Sequence, residues 1–297
     1  MTTPLFFVRI FADSRIHKKK NHVPRARGRK VVCMTTKTTN TKKTKKTTKR
    51  LIPIVALTAL ISISSLKAVK AGPPASVSNT TARTATLKGV VKFVGAAPKS
   101  TTVNMAADQS CAKQHPAPVL TQDVVTDANG GLQNAIVFIS DGLGNQTFDP
   151  PSQPVVLTQK GCMYQPHVLA MQANQRLEVV NDDPTSHNIH PIPANNREWN
   201  KSEPPNSKTE ETFSRAEIAI PVKCNIHPWM HGYVAVFKHP YFAVTGKDGS
   251  FDLSSLPPGT YTVKAWHEKL GTSTQQITVG ANETKAVNLV LKSRSGT

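Results

Sequence analysis

The sequence predicts an all-β protein in which two antiparallel β-sandwiches follow a disordered, basic N-terminal segment. Short apolar runs alternate with polar residues at the period of two that is typical of strands. Clusters of Gly, Pro, Asn and Asp separate these runs, and no long helical pattern occurs after residue 71. A chain of 297 residues is long enough for about two domains.

Residues 1–71 carry most of the positive charge. They contain 18 Lys and Arg residues against one acidic residue, Asp13, which amounts to +17 of the net charge of +19. A nucleic-acid-binding protein would carry its basic surface on the folded part of the chain. The remaining charge of +2 therefore predicts no nucleic-acid partner.

Residues 34–71 have the pattern of a secretory signal peptide. A Lys-rich start is followed by an apolar run from Leu51 to Leu66 and by small residues up to Ala71. We predict cleavage after Ala71 and export to the periplasm or an equivalent compartment. The run is shorter than the roughly 20 residues that span a bilayer, so membrane attachment is expected only if the segment stays uncleaved.

Two further segments flank this signal. Residues 1–33 precede Met34, which is a suitable start for the signal, and we interpret them as a non-native extension or else a disordered basic tail. Residues 72–85 are rich in Pro, Ala, Ser and Thr, a composition that predicts a linker.

The loop from Cys224 to Met230 holds three side chains that suit a metal ion. Cys224, His227 and Met230 supply a thiolate, an imidazole and a thioether, and apolar strands bracket the loop. A blue copper site uses two imidazoles and a thiolate with a weak axial methionine. His187 lies 37 residues before Cys224, just after another apolar strand, and is our candidate for the second imidazole.

These motifs resemble the small cupredoxins of the amicyanin and plastocyanin type. The matching segments are His187-Asn-Ile-His after a strand ending in Asn-Asp-Asp, the Cys-x-x-His-x-x-Met spacing, and Met163-Tyr-Gln-Pro. The resemblance runs from about residue 154 to 237, and we assign a cupredoxin domain to residues 150–238. It implies a Greek-key β-sandwich that binds one type 1 copper ion through His187, Cys224, His227 and Met230.

The resemblance also implies how such a protein works. It would be an electron carrier and not an enzyme, with a redox partner protein that docks on an apolar patch at Pro228 and Trp229, where the edge of His227 emerges. Asn188 matches the residue that ties the two ligand loops together by hydrogen bonding. We therefore expect Trp229 to be at least partly exposed.

Several alternatives remain open from the residues alone. A structural zinc site would favour several Cys or His ligands, which a single local thiol does not offer. His231 could replace Met230 as a ligand. Copper delivery or a scaffold without redox work is the rival function. A copper oxidase or reductase would need a second His cluster, and four histidines are too dispersed along the chain to form one: His115, His167, His239 and His267.

The C-terminal region resembles the carboxypeptidase regulatory-like, transthyretin-type sandwich. Its matching segments are Asp248-Gly-Ser-Phe and Leu256-Pro-Pro-Gly-Thr-Tyr. This region lacks the opening strands of that sandwich, and candidate strands lie at residues 89–93 and 132–139. We predict a discontinuous domain of residues 86–149 plus 239–293, into which the cupredoxin is inserted. The alternative is that the early strands extend the cupredoxin sheet.

Cys111 and Cys162 are the two cysteines left after Cys33 is removed with the signal and Cys224 is assigned to copper. In an exported protein such a pair favours a disulfide. The bond would stabilise the fold by roughly 4 kcal/mol in the chain-entropy model. Two separate thiols, or a second metal site with His115 and His167, are the alternatives.

Overall fold

The computed structural model describes residues 83–293 and confirms the all-β prediction. Within this range it contains seventeen strands and a single helix of four residues. Residues 1–33 and the predicted signal peptide lie outside the described residues, as does most of the predicted linker. The described part contains no helix with the length and apolar character needed to cross a membrane.

Eight strands build an outer sandwich from the two ends of the described chain. They are β1 (Ala85–Val94), β2 (Ile136–Asp141), β12 (Phe242–Val244), β13 (Ser250–Leu256), β14 (Gly259–His267), β15 (Gly271–Val279), β16 (Thr284–Ala286) and β17 (Leu289–Lys292). One sheet has the order β13-β1-β16, with β17 also paired to β1, and the other has the order β12-β2-β14-β15. Strands from before residue 142 and after residue 241 therefore share both sheets.

The chain between β2 and β12 forms a second, inserted sandwich. Its strands are β3 (Val155–Gln159), β4 (Tyr164–Gln165), β5 (Val168–Gln172), β6 (Arg176–Asn181), β7 (His187–Pro191), β8 (Lys201–Glu203), β9 (Lys208–Thr212), β10 (Glu217–Lys223) and β11 (His231–Phe237). The sheets have the orders β5-β11-β10-β7-β8 and β4-β3-β6-β9. Among the described residues, β1 and β2 pair with no strand of this sandwich, so they do not extend its sheets.

The two sandwiches pack against each other through strands that are buried on both faces. Successive side chains of a strand point to opposite faces. In β2, Val137 and Ile139 enter the outer core, whereas Ile136 and Phe138 contact the inserted sandwich. In β11, Val234 and Val236 enter the inserted core, whereas Ala235 and Phe237 meet β2. The Phe138 and Phe237 rings lie 5.0 Å apart.

A long connection between β1 and β2 contains the short helix α1 (Gln109–Ala112). Asp108 caps it by accepting hydrogen bonds from the backbone N–H groups of Ser110 and Cys111. This connection belongs to the outer sandwich in sequence, but its helix lies against the loop that follows β10. It thus brings residues of one sandwich to the predicted metal ligands of the other.

Candidate metal centre

The four predicted ligand residues come from β7 and from the loop between β10 and β11. His187 begins β7, Cys224 directly follows β10, and Met230 directly precedes β11. Strand β10 pairs with both β7 and β11, so the loop lies beside His187. All four side chains belong to residues that are at most 2% exposed. Met230 packs in the core of the inserted sandwich.

Hydrogen bonds close this loop and join it to β7. The N–H of Cys224 donates to the carbonyl of Met230 at 3.0 Å, and the N–H of Met230 donates to the carbonyl of His227 at 2.9 Å. The side-chain oxygen of Asn188 accepts from the N–H of Asn225 at 2.7 Å and lies 3.4 Å from the Cys224 sulfur. Asn188 therefore connects the two segments that carry the predicted ligands.

Two imidazole nitrogens and one sulfur converge at this place. Nδ1 of His187 lies 2.9 Å from Nδ1 of His227, and the Cys224 Sγ lies 3.8 Å from the latter atom. One ligand atom from each of the three residues falls within 4.8 Å of the others. The structure thus brings together the thiol and both imidazoles that the sequence predicts as ligands.

A carboxylate lies behind each imidazole: Asp183 is buried, and Asp108 is partly exposed. Nε2 of His187 is 2.8 Å from Oδ2 of Asp183, and Nε2 of His227 is 2.9 Å from Oδ2 of Asp108. An ionised carboxylate only accepts hydrogen bonds, so each Nε2 carries a proton, and the two Nδ1 atoms point at each other. Carboxylates behind histidine ligands are a common feature of metal sites.

Sequence analysis missed both carboxylates. Asp183 lies in the Asn-Asp-Asp segment that contributes to the cupredoxin resemblance, so its position four residues before His187 was a usable signal. Asp108 lies 119 residues before His227 in the connection between β1 and β2, and no motif indicates it.

The charges of the site favour a bound cation. Burial acts to lower the pKa of His187, but hydrogen bonds with Asp183 and Cys224 outweigh it and raise this pKa to about 9. Burial acts to raise the pKa of Cys224, but hydrogen bonds with His187 and with backbone N–H groups lower it to about 6. At neutral pH these shifts favour a thiolate at Cys224 that faces a protonated His187. A metal cation could replace the proton between these groups. A thiolate with two imidazoles is a donor set that suits a soft metal ion.

The structure contains a disulfide between Cys111 and Cys162, whose Cα atoms are 5.6 Å apart. Cys111 lies in α1, next to the cap Asp108, and the N–H of Cys162 donates to Asp183 at 2.7 Å. The bond therefore joins the two segments that hold the carboxylates behind the imidazoles. Both sulfurs are used in it, so they are not ligands of a site with His115 and His167.

The edge of His227 does not emerge at the surface, contrary to the expectation from the resemblance. His227 is 2% exposed, because Asp108 contacts its Nε2 and the Cys111 sulfur lies 3.5 Å from the same atom. Pro228 is exposed and Trp229 is partly exposed. The rings of Trp229 and His227 are 5.1 Å apart, so Trp229 is the aromatic group that leads from His227 towards solvent.

His167 lies in a group with His231 and Glu268, a combination that sequence analysis did not consider. Its ring lies 5.4 Å from that of His231, and Glu268 completes a group whose ligand atoms fall within 4.8 Å of one another. His115, His239 and His267 belong to no such group within the described residues. His231 lies in this second group and is not part of the group formed by His187, Cys224 and His227.

Comparison with protein-family models assigns part of the chain. Residues 233–292 match the carboxypeptidase regulatory-like domain. The match extends from β11 to β17, so the chain contains a carboxypeptidase regulatory-like domain in its C-terminal part. No curated protein matches the sequence.

Comparison with solved structures gives partial similarities at low scores. The chain is similar to the Cu-containing nitrite reductase (NirK) from Thermus scotoductus SA-01, with 21% identity and a TM-score of 0.28 over 33% of this chain and 25% of that one. It thus spans about a quarter of that reductase. It is also similar to a purple cupredoxin from Nitrosopumilus maritimus, with 22% identity and a TM-score of 0.24 over 27% of this chain and 97% of that one. A Cu(I) amicyanin mutant shows 17% identity and a TM-score of 0.26, over 35% and 98% of the two chains. TM-scores of this size do not establish a shared function.

Removing the charge of Asp183 should destabilise the metal-free protein. Burial acts to raise the pKa of Asp183, but hydrogen bonds from His187 and from the N–H groups of Cys162 and Gly161 hold it below its usual value of 3.8. We expect Asp183→Asn to lower the free energy of unfolding at pH 7 by about 3 kcal/mol, because an amide presents N–H where these donors need an acceptor.

The same variant predicts a pH dependence. A carboxyl group with a lowered pKa stabilises the fold above its unfolded pKa and loses this effect as the pH falls through the folded value. The difference between wild type and Asp183→Asn in urea unfolding should therefore shrink below about pH 4. Asp182→Asn changes the exposed neighbour and should shift stability by roughly 0.5 kcal/mol or less. Equal effects of the two variants would contradict the role of Asp183.

Proposed function

We propose that this protein is an exported electron carrier with one type 1 copper ion, bound by His187, Cys224, His227 and Met230. The observation that carries the proposal is the meeting of two imidazole Nδ1 atoms, 2.9 Å apart, beside the sulfur of Cys224. Two imidazoles, one thiolate and a methionine form the donor set of blue copper electron-transfer sites.

Each residue has a distinct role in this proposal. Cys224, whose pKa is lowered to about 6, supplies a thiolate at neutral pH. His187 and His227 supply neutral nitrogens that their carboxylates hold in one orientation, and Met230 is the weak axial ligand. Copper bound here would cycle between its two oxidation states without any change of covalent bonding in the protein. Ligand side chains that are held in place before the ion binds suit such a cycle, because they move little when the copper changes its oxidation state.

The burial of the ligands favours a resident ion over a transported one. All four predicted ligand residues are at most 2% exposed, and Asp108 and the disulfide cover His227. A protein that delivers copper to a partner needs ligands that the partner can reach. Structural zinc sites use closed sets of Cys and His, and one thiolate with a methionine fits copper better.

The proposal places the protein outside the cytoplasm and gives it a redox partner. The disulfide between Cys111 and Cys162 supports an oxidising compartment, in agreement with the signal peptide predicted over residues 34–71. Partly exposed Trp229 and exposed Pro228 would form the docking surface for a redox protein. Because the edge of His227 is covered, electrons would pass between His227 and the surface by way of the Trp229 ring.

Copper loading tests the site directly. Purified protein with copper(II) should be intensely blue or green, because the Cys224 thiolate gives a charge-transfer band. Cys224→Ser should abolish this band, whereas Met230→Leu should keep it and raise the reduction potential, since only the weak axial ligand is lost. Absorption spectroscopy and potentiometry measure both effects.

The matched control for these variants is His190→Gln. His190 shares β7 with His187, pairs with Glu198 at 2.6 Å and lies 3.3 Å from the side-chain oxygen of Asn225, but it is not part of the converging group. This variant should remain coloured. A colourless copper(II) protein, or a coloured Cys224→Ser variant, would refute the redox proposal.

The Trp229 route predicts a specific kinetic effect. We expect Trp229→Lys to slow electron self-exchange by about tenfold or more, because it removes the ring and places like charges opposite each other when two copies meet. The colour of the copper protein should be unchanged. Val290→Lys, at an exposed position of β17, is the control. Equal self-exchange rates in wild type and Trp229→Lys would exclude this route.

A further inference from the structure

We propose that His167, His231 and Glu268 form a second metal site, which binds a divalent first-row transition ion where the two sandwiches meet. His167 precedes β5 and His231 begins β11, both in the inserted sandwich, whereas Glu268 follows β14 of the outer sandwich. The site is separate from the group formed by His187, Cys224 and His227.

The donor atoms are already close enough to share an ion after small movements. Nε2 of His167 lies 2.5 Å from Oε1 of Glu268, and one ligand atom of each of the three residues falls within 4.8 Å of the others. Metal–ligand bonds of 2.0–2.2 Å bring ligand atoms to within roughly 4 Å of one another. The imidazole planes of His167 and His231 are inclined by 81°, so the two rings do not stack.

The hydrogen bond of His231 orients its ring so that Nε2 faces away from the backbone carbonyl that holds Nδ1. Its Nδ1 lies 3.0 Å from the carbonyl oxygen of Trp229, which can only accept a hydrogen bond. Nδ1 therefore carries the proton and Nε2 carries the lone pair. A backbone carbonyl that fixes the tautomer of a histidine in this way is typical of metal ligands.

The carboxylate of Glu268 has an unused oxygen. The side chain of Glu268 is 1% exposed, and its Oε2 is buried with no donor in hydrogen-bond geometry, although the Tyr233 hydroxyl lies near this carboxylate. The neighbouring Lys269 does not satisfy it, because its amino group pairs with Asp123 at 2.7 Å. A buried carboxylate oxygen without a partner is costly, and a divalent ion would compensate it.

The site opens on a cavity that leaves room for an additional ligand. His167 and His231, but not Glu268, line a mostly apolar cavity of about 170 Å³. Its other lining residues are Val103, Asn104, Thr121, Gln122, Met163, Pro228 and Trp229. Three protein ligands with an open position are the arrangement of reactive metal sites, whereas structural sites are closed. Two imidazoles and one carboxylate suit divalent ions such as Zn²⁺, Co²⁺ or Cu²⁺. Water or a small anion could occupy the open position.

Titration with Co²⁺ separates this site from the proposed copper site. The wild-type protein should bind two Co²⁺ ions, one with a thiolate charge-transfer band from Cys224 and one with weak d–d bands only. His231→Ala should lower the affinity for the second ion by at least roughly tenfold, the scale of loss seen even for groups that only support a ligand, and keep the charge-transfer band. Cys224→Ser should remove that band and keep the second ion.

The controls make each outcome decisive. His190→Gln removes a histidine that pairs with a single carboxylate, Glu198, and should leave both ions bound. Glu268→Gln is a second variant of this site, and its folding is checked by circular dichroism because it alters a buried pair. His231 is partly exposed, so His231→Ala remains the main variant. If Cys224→Ser binds no Co²⁺, or if His231→Ala binds both ions as tightly as wild type does, the second site is refuted. If the wild-type protein binds Co²⁺ without a charge-transfer band, that result counts against the copper site and not against the second site.

Discussion

The candidate centre depends on two carboxylate–imidazole pairs, in which both imidazoles are buried. Asp183 and Asp108 hold the Nε2 atoms of His187 and His227, and this fixes both Nδ1 atoms so that they face each other at 2.9 Å. Such an arrangement is stable in a buried place only with a cation between the nitrogens. In the metal-free protein a proton on His187 can take this place, because hydrogen bonds with Asp183 and Cys224 outweigh burial and raise the pKa of this imidazole to about 9. The same geometry, with the thiolate of Cys224 beside it, supports the proposed copper site.

The rest of the architecture maintains these two pairs. Asp183 belongs to the inserted sandwich, whereas Asp108 comes from the connection between β1 and β2 of the outer sandwich, which therefore completes a site in its neighbour. The disulfide between Cys111 and Cys162 joins the two segments, and the apolar layer formed by β2, β5 and β11 holds the sandwiches together. The outer sandwich thus has a physical role at the site, because the connection between its strands β1 and β2 supplies the carboxylate that contacts His227.

Local sequence patterns predicted the strands and the types of ligand residue. They could not predict the carboxylates, which reach their histidines through contacts between distant parts of the chain. Cys224, His227 and Met230 lie within seven residues, so their spacing alone indicates a shared loop. Asp108 and Glu268 reach their histidines across 119 and 101 residues, and only the tertiary structure brings them together. The apolar runs at residues 135–139 and 233–237 are continuous, as is typical of strands buried on both faces, and sequence analysis did not use this signal. Which layers those faces would contact depends on how the two sandwiches pack, and no single segment encodes that.

The most direct test of this structure is nitrogen-15 NMR of the imidazoles in protein loaded with diamagnetic Cu(I). If the carboxylates orient both rings, His187 and His227 will each carry a proton on Nε2, in exchange-protected hydrogen bonds, and bind the ion through Nδ1. A proton on Nδ1 of either ring, or binding of the ion through Nε2, would contradict the central claim that Asp108 and Asp183 direct both imidazoles to one cation.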